Sequence, residues 1–235
     1  MREPGFWWRK AGLASALLSP LAAAYGAVAA PRMARAGASA GVPVICIGNF
    51  TLGGAGKTPT AIAIARMLRD GGERVFFLTR GYGGSANGPK LVDADADRAD
   101  VVGDEALLLA RVAPTIVARD RVAGASAAKA HGAQLILMDD GLQNGSLEKN
   151  FRLAVIDGRR GIGNARVFPA GPLRAPLAAQ LARVDALLVV GGGAGASDVV
   201  AAAAHRGLPG WHGRLAPHHE TAGAIARPVL AFAGI

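Results

Sequence analysis

Lys57 and Thr58 close a glycine-rich stretch, Gly53-Gly54-Ala55-Gly56-Lys57-Thr58-Pro59. These residue types at this spacing suit chemistry on phosphate. Backbone N–H groups of such a loop point inward and cradle phosphate oxygens. The lysine neutralises the β and γ oxygens, and the hydroxyl is a ligand for Mg²⁺. Read as a nucleotide cradle, the stretch assigns Thr51, Gly53, Gly54, Ala55, Gly56, Lys57, Thr58 and Pro59 to ATP. A strict G-x-x-x-x-G-K-[ST] pattern asks for glycine at position 51, where this chain has Thr51. The closely spaced glycines and the flanking elements offset that departure. The alternative is a glycine-rich turn carrying a chance Gly-Lys-Thr.

The second chemical signal is Asp139-Asp140-Gly141, which ends the run 134–138, apolar after Gln134. A buried strand ending in carboxylates is what a Walker B element needs to hold Mg²⁺ beside a phosphate loop. It lies some 80 residues after Thr58. Asp104 and Glu105 precede the apolar run 106–110. Acids there cap a helix and oppose its dipole, or they do chemistry; the residues alone leave both readings open. Arg159, Arg160, Arg166 and Arg174 fall in a Gly/Pro-rich stretch, 158–174. They suit phosphate recognition or a solvated basic loop. Gly191 to Gly195 reads as a flexible strand exit, His218-His219-Glu220 as a polar loop, and Asp93, Asp95, Asp97 and Asp100 as solvated acids.

These groups need rigid elements behind them. Residues 42–47 read as a buried parallel strand that delivers the glycine loop, and the apolar pattern from Ala61 to Leu68 as the helix after it. Pro59 is tolerated in that helix's first turn. Further strands are expected at 74–78, 114–118, 134–138, 152–157 and 186–190, the last closing the core sheet. Helices are expected from Ala106, from Arg121 to near His131, and over 177–183. Strands alternating with helices predict an α/β fold with a mostly parallel sheet.

Length and composition set the frame. The chain has 235 residues, enough for one large domain or two smaller ones. Cys46 is the only cysteine, so no disulfide can form within the chain and a reducing compartment fits. The formal charge is +9 and the pI is near 10.7. Nucleic acid, an anionic membrane or an acidic substrate could each explain it. Nucleic acid fits least, because no arginine-rich helix, zinc-finger spacing or aromatic RNA-binding strand occurs.

Residues 1–10 mix Phe6, Trp7 and Trp8 with Arg2, Arg9 and Lys10, the makeup of a membrane interface. Residues 11–30 are uncharged. At ~1.5 Å per residue they reach about 30 Å, barely a bilayer core. Pro20 and the many alanines weaken a spanning segment. The expectation is an uncleaved anchor, either a marginal span or an in-plane hairpin; a signal peptide and a buried core helix are the rivals. Residues 228–235 read as a strand with no turn or cap after it, so a C-terminal part is expected beyond Ile235.

Taken together the motifs resemble the tetraacyldisaccharide 4'-kinase family, the lipid A 4'-kinases of Gram-negative bacteria. The residues that carry the resemblance are Phe6-Trp7-Trp8, the stretch 44–59, Arg80-Gly81-Tyr82-Gly83 and Gly103-Asp104-Glu105. Arg119-Asp120-Arg121, Asp139-Asp140-Gly141-Leu142-Gln143, the stretch 168–174 and Ala231-Phe232-Ala233-Gly234-Ile235 complete it. Thr51 in the glycine loop is itself a trait of that family.

The resemblance implies an enzyme at the cytoplasmic face of the bacterial inner membrane. It would move the γ-phosphoryl of ATP to the 4'-hydroxyl of an acylated disaccharide 1-phosphate lipid. It implies Lys57 and Thr58 on phosphate and Mg²⁺, and Asp104 as general base. It implies Glu105, Asp139, Asp140 and Gln143 around the metal, with Arg80 and Arg119 stabilising charge. Its fold is a P-loop domain over 36–196, preceded by an anchor at 1–35 and followed from 197 by a smaller, truncated α/β domain. Two positions depart from the family: Ala175 replaces a glutamate that is a candidate metal ligand, and Asn144 replaces a histidine. The family's catalytic histidine would lie beyond Ile235.

Two other functions compete. One is a membrane-associated P-loop ATPase or GTPase switch, opposed by the anchor, the 168–174 loop and the lack of a guanine-reading motif. The other is an inactive binding descendant, suggested by Ala175 and opposed by the retained Lys57, Thr58, Asp104 and paired acids.

Overall fold

A computed structural model describes residues 3–216 of the chain. Eight strands form one sheet: β1 (Val44–Gly48), β2 (Val75–Thr79), β3 (Lys90–Leu91), β4 (Thr115–Val117), β5 (Leu135–Asp139), β6 (Phe151–Asp157), β7 (Ala186–Val190) and β8 (Gly210–Gly213). Their spatial order is β3-β4-β2-β5-β1-β6-β7-β8. Every pairing is parallel except β3 with β4. The helices are α1 (Leu13–Ala34), α2 (Lys57–Asp70), α3 (Ala99–Val102), α4 (Asp104–Ala110), α5 (Arg121–Ala130), α6 (Leu177–Leu181) and α7 (Ser197–Ala204).

The central strands are apolar at successive positions because both faces are covered. Val44, Cys46, Phe76, Leu78, Ile136 and Met138 point to the face that carries α5, α6 and α7. Ile47, Val75, Phe77 and Leu137 point to the face that carries α2 and α4. That alternation, with burial on both sides, is the mark of a doubly covered parallel sheet.

The α/β class and the strands expected from the sequence are present, with ends shifted by a residue or two. The sheet does not close at 186–190: β8 adds a parallel strand on β7. Residues 197–213, assigned above to a second unit, form α7 and β8 on this same sheet. The expected strand at 228–235 and His218, His219 and Glu220 lie outside the described residues.

The apolar N-terminal stretch is one helix, α1, long and apolar enough to cross a membrane. It runs through Pro20 and Pro31. The carbonyl that loses its donor at Pro20 belongs to Ala16, and both residues face solvent, where water can satisfy it. A narrow stripe, Ser15, Ala22, Gly26 and Met33, is buried along nearly the whole length. Asn164 Nδ2 donates to Ser15 Oγ at 2.9 Å. A Cβ at Gly26 would come within 3.3 Å of Pro176 Cγ, so small residues let the helix lie flat on the body.

Trp7 departs from the interfacial role its neighbours suggested. It is buried, packs edge-on against Phe168 with centroids 6.0 Å apart, and its Nε1 donates to the Pro169 carbonyl at 3.0 Å. The short 3₁₀ turn Gly5–Trp8 thus anchors the 164–174 loop rather than standing free.

Cys46 sits at the centre of the sheet, and burial pushes its thiol up to about 12. The neutral thiol is expected to resist maleimide in the folded protein and to label only along the urea unfolding transition. Rapid labelling without denaturant would contradict this packing.

Candidate active site

The glycine loop leaves the C-terminal end of β1 and enters α2 at Lys57. Gly56 caps that helix with φ +85°, and Gly53 takes φ +96°, values that favour glycine. Thr51 needs no such freedom. It forms an antiparallel bridge with Leu173, Leu52 N donates to the Pro172 carbonyl at 2.8 Å, and Arg174 N donates to the Phe50 carbonyl at 2.9 Å. The position where the strict pattern asks for glycine is here a short strand pairing, and threonine suits it. Thr51 and Ala55 are buried. Asn49 Nδ2 spans the turn, donating to the Gly53 carbonyl at 3.0 Å, and Lys57 Nζ donates to the same carbonyl at 3.3 Å. The Glu3 carboxylate lies over Gly53, where a Cβ would collide with it, and accepts from Trp8 Nε1 and Arg160.

The paired acids meet this loop from the neighbouring strand. Thr58 Oγ1 donates to Asp139 Oδ2 at 3.3 Å, while Asp139 Oδ1 is buried without a partner. Burial, then Glu105 and Asp140, push the Asp139 carboxyl up to about 7; Lys57 and the Thr58 hydroxyl oppose this. Burial likewise raises Glu105, against the pull of Lys57. Lys57 is lowered, by burial first and by Arg174, with Asp140 opposing. Three carboxylates therefore crowd one lysine. Asp140 adopts φ +54°, a left-handed conformation aspartate tolerates better than most.

Arg174 is the residue the sequence undervalued. Its Nη1 and Nη2 grip Asp140 Oδ1 and Oδ2 at 2.8 and 3.0 Å, and its Nε donates to the Thr51 carbonyl at 2.8 Å. Lys57 Nζ is 4.0 Å from the same carboxylate. Gln143 turns from the acids toward the loop: its Nε2 donates to the Asn49 carbonyl and to Gln180 Oε1, both at 2.9 Å. Fully buried Gln180 donates in turn to the carbonyls of Phe50 and Ala175. The run of arginines in 158–174 was the available signal for Arg174. Gln180, inside an apolar helical pattern, gave none. Arg121 was only part of a motif, yet it is buried, donates to the Ala118 carbonyl and leaves Nε unpartnered.

The remaining expected residues lie on the rim. Asp104 opens α4 exposed, its Oδ1 accepting from Glu105 N at 2.9 Å. Gly103, at φ +89°, makes this turn possible, since a Cβ there would meet the Tyr82 carbonyl at 2.5 Å. The Arg80–Gly83 turn and the Asp104 turn are thus packed backbone to backbone. Arg80 and Arg119 are both exposed. Pro59 sits in the first turn of α2. Among the described residues no three His, Cys, Asp or Glu side chains converge into a metal cage.

The chain is similar to known proteins in sequence and in fold. The profile of the Tetraacyldisaccharide-1-P 4'-kinase family, LpxK, matches residues 14–235. A tetraacyldisaccharide 4'-kinase of Methylobacterium sp. (strain 4-46) is 61% identical over 237 residues, which take in 100% of this chain and 71% of that protein. One from Rhodopseudomonas palustris (strain BisB18) is 58% identical over 236 residues, 100% of this chain and 69% of the relative. Among solved structures, the "apo" form of LpxK from Aquifex aeolicus in complex with ATP superposes with a TM-score of 0.66 at 27% identity. That match covers 75% of this chain and 59% of the other.

Two outcomes follow from the charge arrangement. Arg174→Ala is expected to cost about 1–2 kcal/mol in urea unfolding, the value of a bidentate, partly buried pair. Arg174→Lys should recover little, because an ammonium cannot reach both Asp140 oxygens and the Thr51 carbonyl together; full recovery would show the fork is unimportant. Asp139, raised to about 7, takes up a proton on folding. The ligand-free protein should therefore lose stability as pH rises from about 4 to about 7. Asp139→Asn should flatten that slope and gain on the parent at pH above this window; an unchanged slope would contradict the assignment.

Proposed function

The chain belongs to the tetraacyldisaccharide 4'-kinase family, and we propose that it transfers the γ-phosphoryl of ATP to the 4'-hydroxyl of a tetraacylated glucosamine disaccharide 1-phosphate. The observation that carries this reading is the joining of three parts at one sheet edge: the Lys57–Thr58 cradle, the buried Asp139, and the 166–174 loop locked over both by Arg174. Phosphoryl transfer asks for positioning and charge neutralisation more than covalent chemistry, and this edge supplies both.

Lys57 is held ready on the Gly53 carbonyl and moves to the phosphate oxygens. Asp104, exposed at the mouth, accepts the proton of the sugar hydroxyl as that oxygen forms its bond to phosphorus. Arg80 and Arg119 stand on the same rim to balance charge on the moving group. The partnerless Asp139 oxygen, the Thr58 hydroxyl and the crowded carboxylates fit Mg²⁺. Thr58, Asp139 and Glu105 would hold it, with phosphate and water completing the shell. When bound, the ion neutralises phosphate charge. Asp140 and Gln143, grouped above with the metal ligands, here hold Arg174 and the loop. Ala175 is fully buried and supplies no ligand.

The membrane enters through α1. Leu13, Leu17, Leu21, Tyr25 and Val28 are exposed along it, Leu17 at 72%. A helix docked end to end on the body supports lying in the bilayer surface rather than leaving to span it. The net charge of +9 suits the anionic cytoplasmic face of the inner membrane and a phosphorylated lipid. Residues 1–35 serve as anchor and the sheet as kinase domain, with the smaller domain following it.

The test is transfer of labelled γ-phosphate from ATP-Mg²⁺ to the disaccharide 1-phosphate lipid in detergent micelles by the full-length protein. Lys57→Ala should weaken ATP binding and lower turnover by about 10²-fold or more. Asp104→Ala should lower turnover by about 10²–10⁴-fold while sparing ATP affinity. ATP hydrolysis without lipid labelling would replace the kinase by a nucleotide switch, and near-normal turnover in both variants would overturn the site.

A further inference from the structure

A cavity of about 330 Å³ lies between the end of α1 and the 145–152 segment. Arg152, the second residue of β6, lines it, so it opens at the N-terminal edge of the sheet. The glycine loop leaves the C-terminal end of β1, and β1 and β6 are parallel. The cavity is therefore at the opposite edge from the candidate active site. Its charged walls are Arg35, Lys149, Arg152 and Arg183, against the single carboxylate of Glu148.

Lys149 is only 7% exposed. Its ammonium donates to the carbonyls of Asn144 and Leu147, and among the described residues no carboxylate pairs with it. Burial lowers its basicity, and Arg152 and Arg183 lower it further. The neighbouring Cys46 thiol stays neutral and offers no countercharge. Arg183 spends one donor on the Ala34 carbonyl at 2.9 Å, and Arg152 Nη1 is 3.7 Å from Asp185. Each guanidinium has five N–H groups, so most remain free. A buried ammonium without a counter-ion is costly, and like charges gathered around it add to that cost. Structural duty explains single contacts here, but not the gathering of four cations on one cavity.

We propose that this cavity is a second anion site that takes a phosphate group. Guanidinium forks match phosphate oxygens geometrically, and the ammonium adds a point charge beneath them. The exposed apolar stripe of α1 ends at Val28, shortly before Arg35. A phospholipid headgroup and a free phosphate can therefore both reach the site, and they offer it the same chemistry.

Two arms separate the sources. Thermal unfolding with inorganic phosphate is measured on Lys57→Ala, which disables the glycine loop. Sedimentation with phosphatidylcholine vesicles, with and without phosphatidylglycerol, is measured on the parent. The double variant Lys149→Met/Arg152→Gln is added to each. Phosphate should raise the melting temperature of Lys57→Ala, and the double variant should weaken that effect about tenfold or more. A gain on phosphatidylglycerol that the double variant removes, without a phosphate effect, assigns the site to headgroups. A phosphate effect with no vesicle difference assigns it to free phosphate. Without ligand the double variant should melt no lower than its parent, since it removes a buried charge. If it fails to fold, exposed Arg35→Gln serves in both arms, with a smaller loss. Phosphate and vesicle responses that are both absent, or that survive these substitutions, overturn the proposal.

Discussion

The Arg174 fork is the constraint on which the rest of the active edge depends. One guanidinium holds both oxygens of Asp140, at the tip of β5, and the carbonyl of Thr51, just past β1. It thereby fixes three chain segments that share no local sequence. The short pairing of 50–52 with 172–174 keeps the loop's first half extended. Gln143 and Gln180 repeat the same join from below, bonding the carbonyls of Asn49 and Phe50. With its first half tied down so, the loop keeps positive φ only where it curls, at Gly53 and Gly56. Preorganisation of this kind costs nothing at the moment of reaction, because the dipoles are already set.

The same loop links the chemistry to α1. Phe168 and Pro169 hold Trp7, Asn164 holds Ser15, and Gly26 rests against Pro176 and Val167. The helix with the exposed apolar stripe and the arginine that braces the cradle are thus attached to one short stretch of chain. Burying small residues along α1 keeps the contact close. It also keeps the helix against the body, with Leu13, Leu17, Leu21, Tyr25 and Val28 on its exposed side.

Much of this was legible in the sequence, and the limits have physical causes. The strands declared themselves because both faces of the sheet are covered, so apolar runs such as 135–138 could hardly be solvent loops. Lys57, Thr58 and the paired acids stood out because their roles rest on local spacing. Arg174 was hidden because its meaning depends on partners more than thirty and more than one hundred residues away. Thr51 departs from the strict loop pattern, and its bridge to Leu173 gives the physical reason, since the position is a strand pairing. Trp7 read as interfacial because composition cannot tell a tryptophan facing lipid from one facing a loop. Strand β8, Gly210–Gly213, carries no apolar run, being an exposed edge strand, so the sheet seemed to end one strand early.

Charge is divided between the two edges of the sheet, and each division has the same logic. At the C-terminal edge burial, then the neighbouring Glu105 and Asp140 carboxylates, raise the proton affinity of Asp139, and one Asp139 oxygen stays unpartnered. At the N-terminal edge burial, helped by Arg152 and Arg183, lowers the basicity of the Lys149 ammonium, and among the described residues no carboxylate pairs with it. Neither cluster lowers the energy of the empty protein, since like charges in partly buried sites repel. Stability alone would favour apolar or paired side chains at both places. A cation bound beside a triphosphate, as proposed above, would answer the acids. By the same reasoning the cations at the other edge call for an anion.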